Sequence, residues 1–187
     1  MVNYKLRVGV VGYGVVGQRR RFFIDRNTNL ETVAVCDVRF NKDGMMIDGS
    51  NVNYTYDILE NQSKVKPSSG LTDDGIQYYN NYQEMIAESE LDILFVSVPN
   101  YLAPEATIAG LERGLHIFCE KPPGRTVEDI KRVIEVEKKY PQLKLKYGFN
   151  HRYHGSVKKA KEIIDNKQFG DIINFRGVYG KSSIVPF

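Results

Sequence analysis

Long apolar runs are missing from this 187-residue chain. No stretch approaches the roughly 18 uninterrupted apolar residues that a membrane span needs, so no membrane partner is expected. Cysteine is scarce as well. Cys36 and Cys119 are the only two, each ends an apolar run, and no Cys-x-x-Cys or Cys/His cluster exists. That pattern points away from a disulfide framework and from a zinc site, and no metal is expected. An excess of one charge is also absent. Lys and Arg number 26 against 23 Asp and Glu, a net +3, too little to draw the chain to nucleic acid or an acidic membrane. Met1 to Lys5 leads directly into an apolar strand, unlike a signal peptide. Arg19-Arg20-Arg21 follows its apolar run instead of preceding one, so it reads as a solvated helix face and not as a twin-arginine export signal. The cytoplasm is the expected compartment. Internal repeats and low-complexity tracts are lacking.

What is present is a regular alternation of element types. Leu6 to Val11 is an apolar, valine-bearing strand, and a helix runs from about Val15 to Arg26. Thr32 to Cys36 is the second strand. Val38 to Gln77 has no clean period and carries Pro67 and Gly/Ser breaks. It reads as an irregular excursion with at most one short helix near Tyr56 to Gln62. Tyr82 to Glu88 is helical, and Leu91 to Val98 suits a central parallel strand buried on both faces. Pro104 to Arg113 is a helix with proline near its start and Gly114 just past its end. Leu115 to Cys119 is a further strand. This order is the signature of a parallel, doubly wound sheet. After Glu120-Lys-Pro-Pro-Gly124, Thr126 and Asp129 mark a helix start of the capping-box kind, and the helix extends to about Tyr140. Leu143 to Phe149 reads as a strand, Ser156 to Asn166 as a basic amphipathic helix, and Ile172 to Tyr179 as another strand.

Four motifs carry chemistry. Gly12-Tyr13-Gly14-Val15-Val16-Gly17 lies between a strand and a helix, the context that gives a Gly-x-Gly-x-x-Gly loop its meaning. Gly12 makes the tight turn, Gly14 lets backbone approach a pyrophosphate, and Gly17 lets helix and strand pack. The helix start offers free N–H groups to phosphates. Tyr13, Val15 and Val16 complete the cofactor loop. Asp37 stands twenty residues past Gly17 at the end of strand two, where a carboxylate accepts from ribose hydroxyls. It would repel a 2′-phosphate by ~1 kcal/mol in water and ~4 kcal/mol at an effective dielectric of 20, for charges about 4 Å apart. NAD is therefore the expected cofactor. Arg39 nearby could receive a 2′-phosphate and keeps NADP open. Ser97, Pro99 and Asn100 lie at the carboxyl end of a central strand, placed for the nicotinamide-side ribose or the substrate; turn chemistry explains Pro-Asn equally well. Glu120-Lys121 is held by two prolines. Lys121 can donate to a substrate hydroxyl or carbonyl oxygen as acid or base, and a surface turn lysine is the competing reading.

Taken in order, Gly12-Tyr-Gly14-Val-Val-Gly17, Ser97-Val-Pro-Asn100, Glu120-Lys-Pro122 and Tyr147-Gly-Phe-Asn-His-Arg152-Tyr resemble the Gfo/Idh/MocA family, which includes glucose–fructose oxidoreductase and inositol dehydrogenase. The Glu-Lys-Pro tripeptide is the specific part. The resemblance implies that Glu120 and Lys121 lie beside the nicotinamide, with Lys121 touching the reacting oxygen. Arg152 would face the cleft from the start of a second domain and contact substrate. Members act on sugars, polyols and sugar nucleotides, usually as homodimers or homotetramers built through the second domain's sheet. Two departures stand out: a longer excursion between Asp37 and Tyr82, and a family Asp-x-x-x-His pair expected downstream of residue 187. Asp171, His151 and His154 are not substitutes for it.

The expectation is an α/β Rossmann domain over residues 1–123, then over 124–187 the first part of an α+β substrate and oligomerisation domain, truncated. The expected function is an NAD(P)-dependent oxidoreductase moving hydride to or from a carbohydrate CH–OH group. As given, the chain should bind cofactor and turn over little. The alternative is a non-catalytic dinucleotide-binding or redox-sensing module.

Overall fold

The computed structural model describes residues 4–40, 75–178 and 180. Six parallel strands make one sheet in the order β3-β2-β1-β4-β5-β6. They are β1 (Leu6–Val11), β2 (Leu30–Cys36), β3 (Gln77–Tyr79), β4 (Ile93–Val96), β5 (His116–Cys119) and β6 (Leu145–Tyr147). The helices are α1 (Val15–Ile24), α2 (Tyr82–Glu88), α3 (Ala103–Glu112), α4 (Val127–Glu137) and α5 (Gly155–Asp165). The alternation read from the sequence is thus the alternation of the fold, a Rossmann sheet.

The two-residue period of the strands sorts the core into two layers. Val11, Ala34, Cys36, Leu94, Val96, Ile117 and Cys119 point to one face, where Met85 and Ile86 of α2 cover the β1–β2 side and Ala103, Ala106 and Leu111 of α3 the β4–β5 side. Val8, Val10 and Val35 point to the other face with Ile24 of α1 and Phe40. The central strands are buried on both sides, which is why they read as unbroken apolar runs.

Three expectations need correction. Gln77–Tyr79 is a strand, although in the sequence Gln77 closes the irregular stretch and Tyr78-Tyr79 fall in no expected element. It pairs with β2 over three residues, too few to show a period. The rest of that stretch, 41–74, including the helix expected near Tyr56–Gln62, lies outside the described residues. Second, the boundary at residue 123 is too early. The first compact unit runs to Gly148 and the second from Phe149 to Phe187. The Pro-Pro-Gly break looks like a linker, but the helix and strand after it continue the same winding, with Leu145 to Tyr147 pairing Ile117 to Cys119. Third, residues 172–178 form no strand. A strand needs a ladder partner, and none of the described strands pairs with this segment.

The second unit, taken by itself, holds a 3₁₀ turn at Asn150–Tyr153 and α5. Lys161 pairs with Asp165 along α5 at 2.7 Å. Phe169, Ile173, Phe175 and Val178 stand exposed.

Candidate dinucleotide-binding site

The strand order reverses between β1 and β4, and ligands of open α/β sheets bind beyond the strand ends at such a point. The glycine loop sits there. Gly12 has φ +84°, and a Cβ on it would stand 2.4 Å from the carbonyl oxygen of Ser97 at the end of β4. Its N–H donates to Cys36 O of β2 at 2.8 Å. A Cβ on Gly17 would lie 1.9 Å from Gly12 O, so α1 could not approach the loop with any larger residue. Gly14 differs: nothing lies within 4 Å of where its Cβ would be. It is the N-cap of α1, no side chain caps the helix start, and the first turn has no acidic residue. An uncapped helix start beside open space is a cradle suited to pyrophosphate. Val15 is half-buried and Val16 is exposed. The ring of Tyr13 packs on Phe40 at 5.8 Å. Its hydroxyl accepts from Arg21 Nη1 at 2.8 Å, and burial pushes the phenol's pKa up.

Asp37 lies at the end of β2 and is buried. Its Oδ2 accepts from Tyr13 N at 2.9 Å and from Arg39 Nη2 at 2.9 Å. Oδ1 accepts from Arg39 N at 3.1 Å and Arg39 Nε at 2.7 Å. Burial alone would raise the carboxyl pKa. The hydrogen bonds and charge of Arg39, with the backbone of Tyr13, outweigh it and hold Asp37 below the usual carboxylate range. A carboxylate offers about four lone-pair sites, and all four are engaged. A ribose diol reaching Asp37 must therefore take over bonds now made by Arg39.

At the other half of the crevice, Ser97 N donates to Val11 O at 2.7 Å. Its hydroxyl is buried without a hydrogen-bond partner among the described residues, an orphan that a bound ligand could satisfy. Pro99 O accepts from Leu102 N and Ala103 N and starts α3, with Asn100 in the same turn. Glu120 follows β5, and Lys121 next to it is exposed, its bond to Pro122 being cis. The Glu120 carboxylate accepts from Arg20 Nε at 2.6 Å and also from Arg20 Nη2. The arginine run is therefore not a solvated face: the side chains of Arg20 and Arg21 are 21% and 20% exposed. Gly17, Arg20, Arg21 and Ile24 recur at helical spacing, the signal in the sequence that places both arginines on the inner face. Cys36 and Cys119 are free thiols pushed by burial up to about 12 and about 11, so neither is a candidate nucleophile. Arg152 belongs to the second unit, exposed in its 3₁₀ turn. His151 and His154 flank it, with ring centroids 4.7 Å apart. Among the described residues no group of three or more His, Cys, Asp or Glu could hold a metal ion. No helix there is long and apolar enough to cross a membrane.

Sheet order, glycine turn and uncapped helix start together define a dinucleotide-binding α/β domain. The chain belongs to the Gfo/Idh/MocA family, whose model, described as an oxidoreductase family with an NAD-binding Rossmann fold, matches residues 6–149. Inositol 2-dehydrogenase of Salmonella typhimurium is 26% identical over 182 residues, covering 97% of this chain and 48% of that protein. D-glucoside 3-dehydrogenase of Escherichia coli is 28% identical over 174 residues, covering 92% of this chain and 42% of that protein. The crystal structure of myo-inositol 2-dehydrogenase from Lactobacillus plantarum superposes with a TM-score of 0.66 at 28% identity, covering 90% of this chain and 43% of that one. The chain spans about half the length of the curated relatives it matches.

Proposed function

We propose that this chain supplies the cofactor half of an NAD-dependent oxidoreductase acting on a CH–OH group of a sugar, polyol or sugar nucleotide. The observation that carries this reading is the uncapped start of α1 at Gly14, open beside a loop wedged between the ends of β2 and β4. Nicotinamide, when bound, supplies the hydride acceptor or donor. The protein's own groups bind and orient it. First-turn N–H groups of α1 take the pyrophosphate, Asp37 the adenine ribose, and Ser97 with the Pro99-Asn100 turn the other ribose. Lys121 hydrogen-bonds the reacting oxygen and takes its proton on oxidation or returns it on reduction. Arg152 contacts substrate. The names of the relatives favour a cyclic polyol or a glycoside as substrate. A homodimer or homotetramer in the cytoplasm completes the proposal.

The test is titration of the chain with NADH, monitored by fluorescence, beside the variant Gly14→Val. Wild type should bind, and the variant should bind at least about tenfold more weakly, because two methyls would occupy the pyrophosphate's approach. Equal affinities would overturn the reading. Melting shifts with inositols, glycosides and sugar nucleotides in the presence of NADH then identify the substrate class.

A further inference from the structure

Glu120 is held on two sides by its own protein. Its side chain is 12% exposed. On one side lies the Arg20 guanidinium, which also covers the ring of Phe118 at 5.1 Å; Phe118 in turn stacks on Phe95 at 4.9 Å. On the other side lies Gly148, where a Cβ would stand 2.7 Å from Glu120 Oε2. A carboxylate tip is ordinarily free to yield to such a neighbour, but this one is fixed by Arg20. The pair joins residues 100 apart in sequence, linking α1, one turn beyond the glycine loop, to the end of β5.

A dinucleotide in a sheet of this order lies across the carboxyl ends, one half over β1 and β2 and the other over β4 and beyond. With Asp37 marking the adenosine half, Glu120 belongs to the nicotinamide half. The oxidised nicotinamide ring carries a positive charge and the reduced ring carries none. A lone carboxylate at the end of β5 would favour the oxidised form, and a lone guanidinium the reduced form.

We propose that the Arg20–Glu120 ion pair balances charge in the nicotinamide half of the crevice and sets the ratio of affinities for oxidised and reduced cofactor. The inference rests on the dinucleotide reading above. Arg20 then acts through Glu120 and the local field, as a positioning residue and not as a group that touches the reacting atoms.

The experiment measures dissociation constants for NAD⁺, NADH and ADP-ribose, which lacks nicotinamide, on the 187-residue chain and four variants. Arg20→Gln should shift the NAD⁺-to-NADH affinity ratio about tenfold toward NAD⁺, the scale expected of one unscreened charge in a partly desolvated site. Glu120→Gln should shift it comparably toward NADH. The double variant should return to the wild-type ratio, and Arg20→Lys should stay near it, because charge is what the ratio reads. Affinity for ADP-ribose should hold throughout. A purely structural role would weaken NAD⁺ and NADH alike and leave the ratio unmoved, and that result overturns the proposal. If Arg20→Gln does not fold, the Glu120→Gln shift decides alone. A wild-type chain that binds neither NAD⁺ nor NADH overturns the dinucleotide reading and this proposal with it. Binding with an unchanged ratio in the variants overturns this proposal only.

Discussion

At the scale of single residues, the adenosine end is governed by Asp37 and Arg39 together. The arginine fork neutralises the carboxylate that would otherwise repel a 2′-phosphate. Discrimination between the two cofactors should therefore be smaller than a lone carboxylate gives. Asp37→Ala should narrow the gap between NADH and NADPH affinity by about tenfold, as removal of one like charge implies. A wild type that already prefers NADPH would show that Arg39 outweighs Asp37. Residues set by backbone geometry were legible in the sequence. Gly12, Gly14 and Gly17 are required by a turn, an open approach and a helix contact, and a fixed spacing encodes all three. Asp37 was legible because it ends a strand at a set distance from that loop. Arg20 was not. Its partner is 100 positions away, and a triplet of arginines reads as charge until helical spacing from Gly17 to Ile24 is applied to it.

At the scale of elements, legibility tracked length and burial. β1 and β4 are apolar on both faces and announce themselves. α4 declares its start: Asp129 N donates to Thr126 Oγ1 at 3.1 Å and Thr126 N to Asp129 Oδ2 at 3.1 Å. Arg125 N adds a bond to the same carboxylate and, with Thr126, holds Asp129 below the usual carboxylate range. Thr126→Ala should cost about 1 kcal/mol, the usual worth of an N-cap, read as a lower urea midpoint with an unchanged slope. No change in midpoint would mean that α4 is held by packing alone. β3 escaped detection because three residues on a sheet edge show no period. The segment 172–178 misled for the opposite reason: it alternates well, but alternation describes a face and does not provide a neighbour to bond to.

At the scale of the whole molecule, the six described strands and α1 to α4 precede Phe149. A chain cut back to Gly148 should therefore keep its NADH affinity and lose from its far-ultraviolet circular dichroism only the helical signal of α5. It should also be more soluble, since Phe169, Ile173, Phe175 and Val178 leave with the second unit. Loss of cooperative unfolding in that fragment would show that the first unit depends on the second for its stability. The position of β1 has another consequence. It precedes the other described strands in the chain, yet it lies in the interior of the sheet, and its second ladder pairs Val8 with Ile93, eighty-five residues later. At roughly 5–20 residues per second, a ribosome needs on the order of 4–17 s to cover that interval. Throughout it the nascent chain carries Val8, Val10 and Val11 on a strand with at least one unpaired edge. An unpaired edge is a template for other nascent chains, so slowing translation up to Val96 should lower the fraction of the protein recovered soluble.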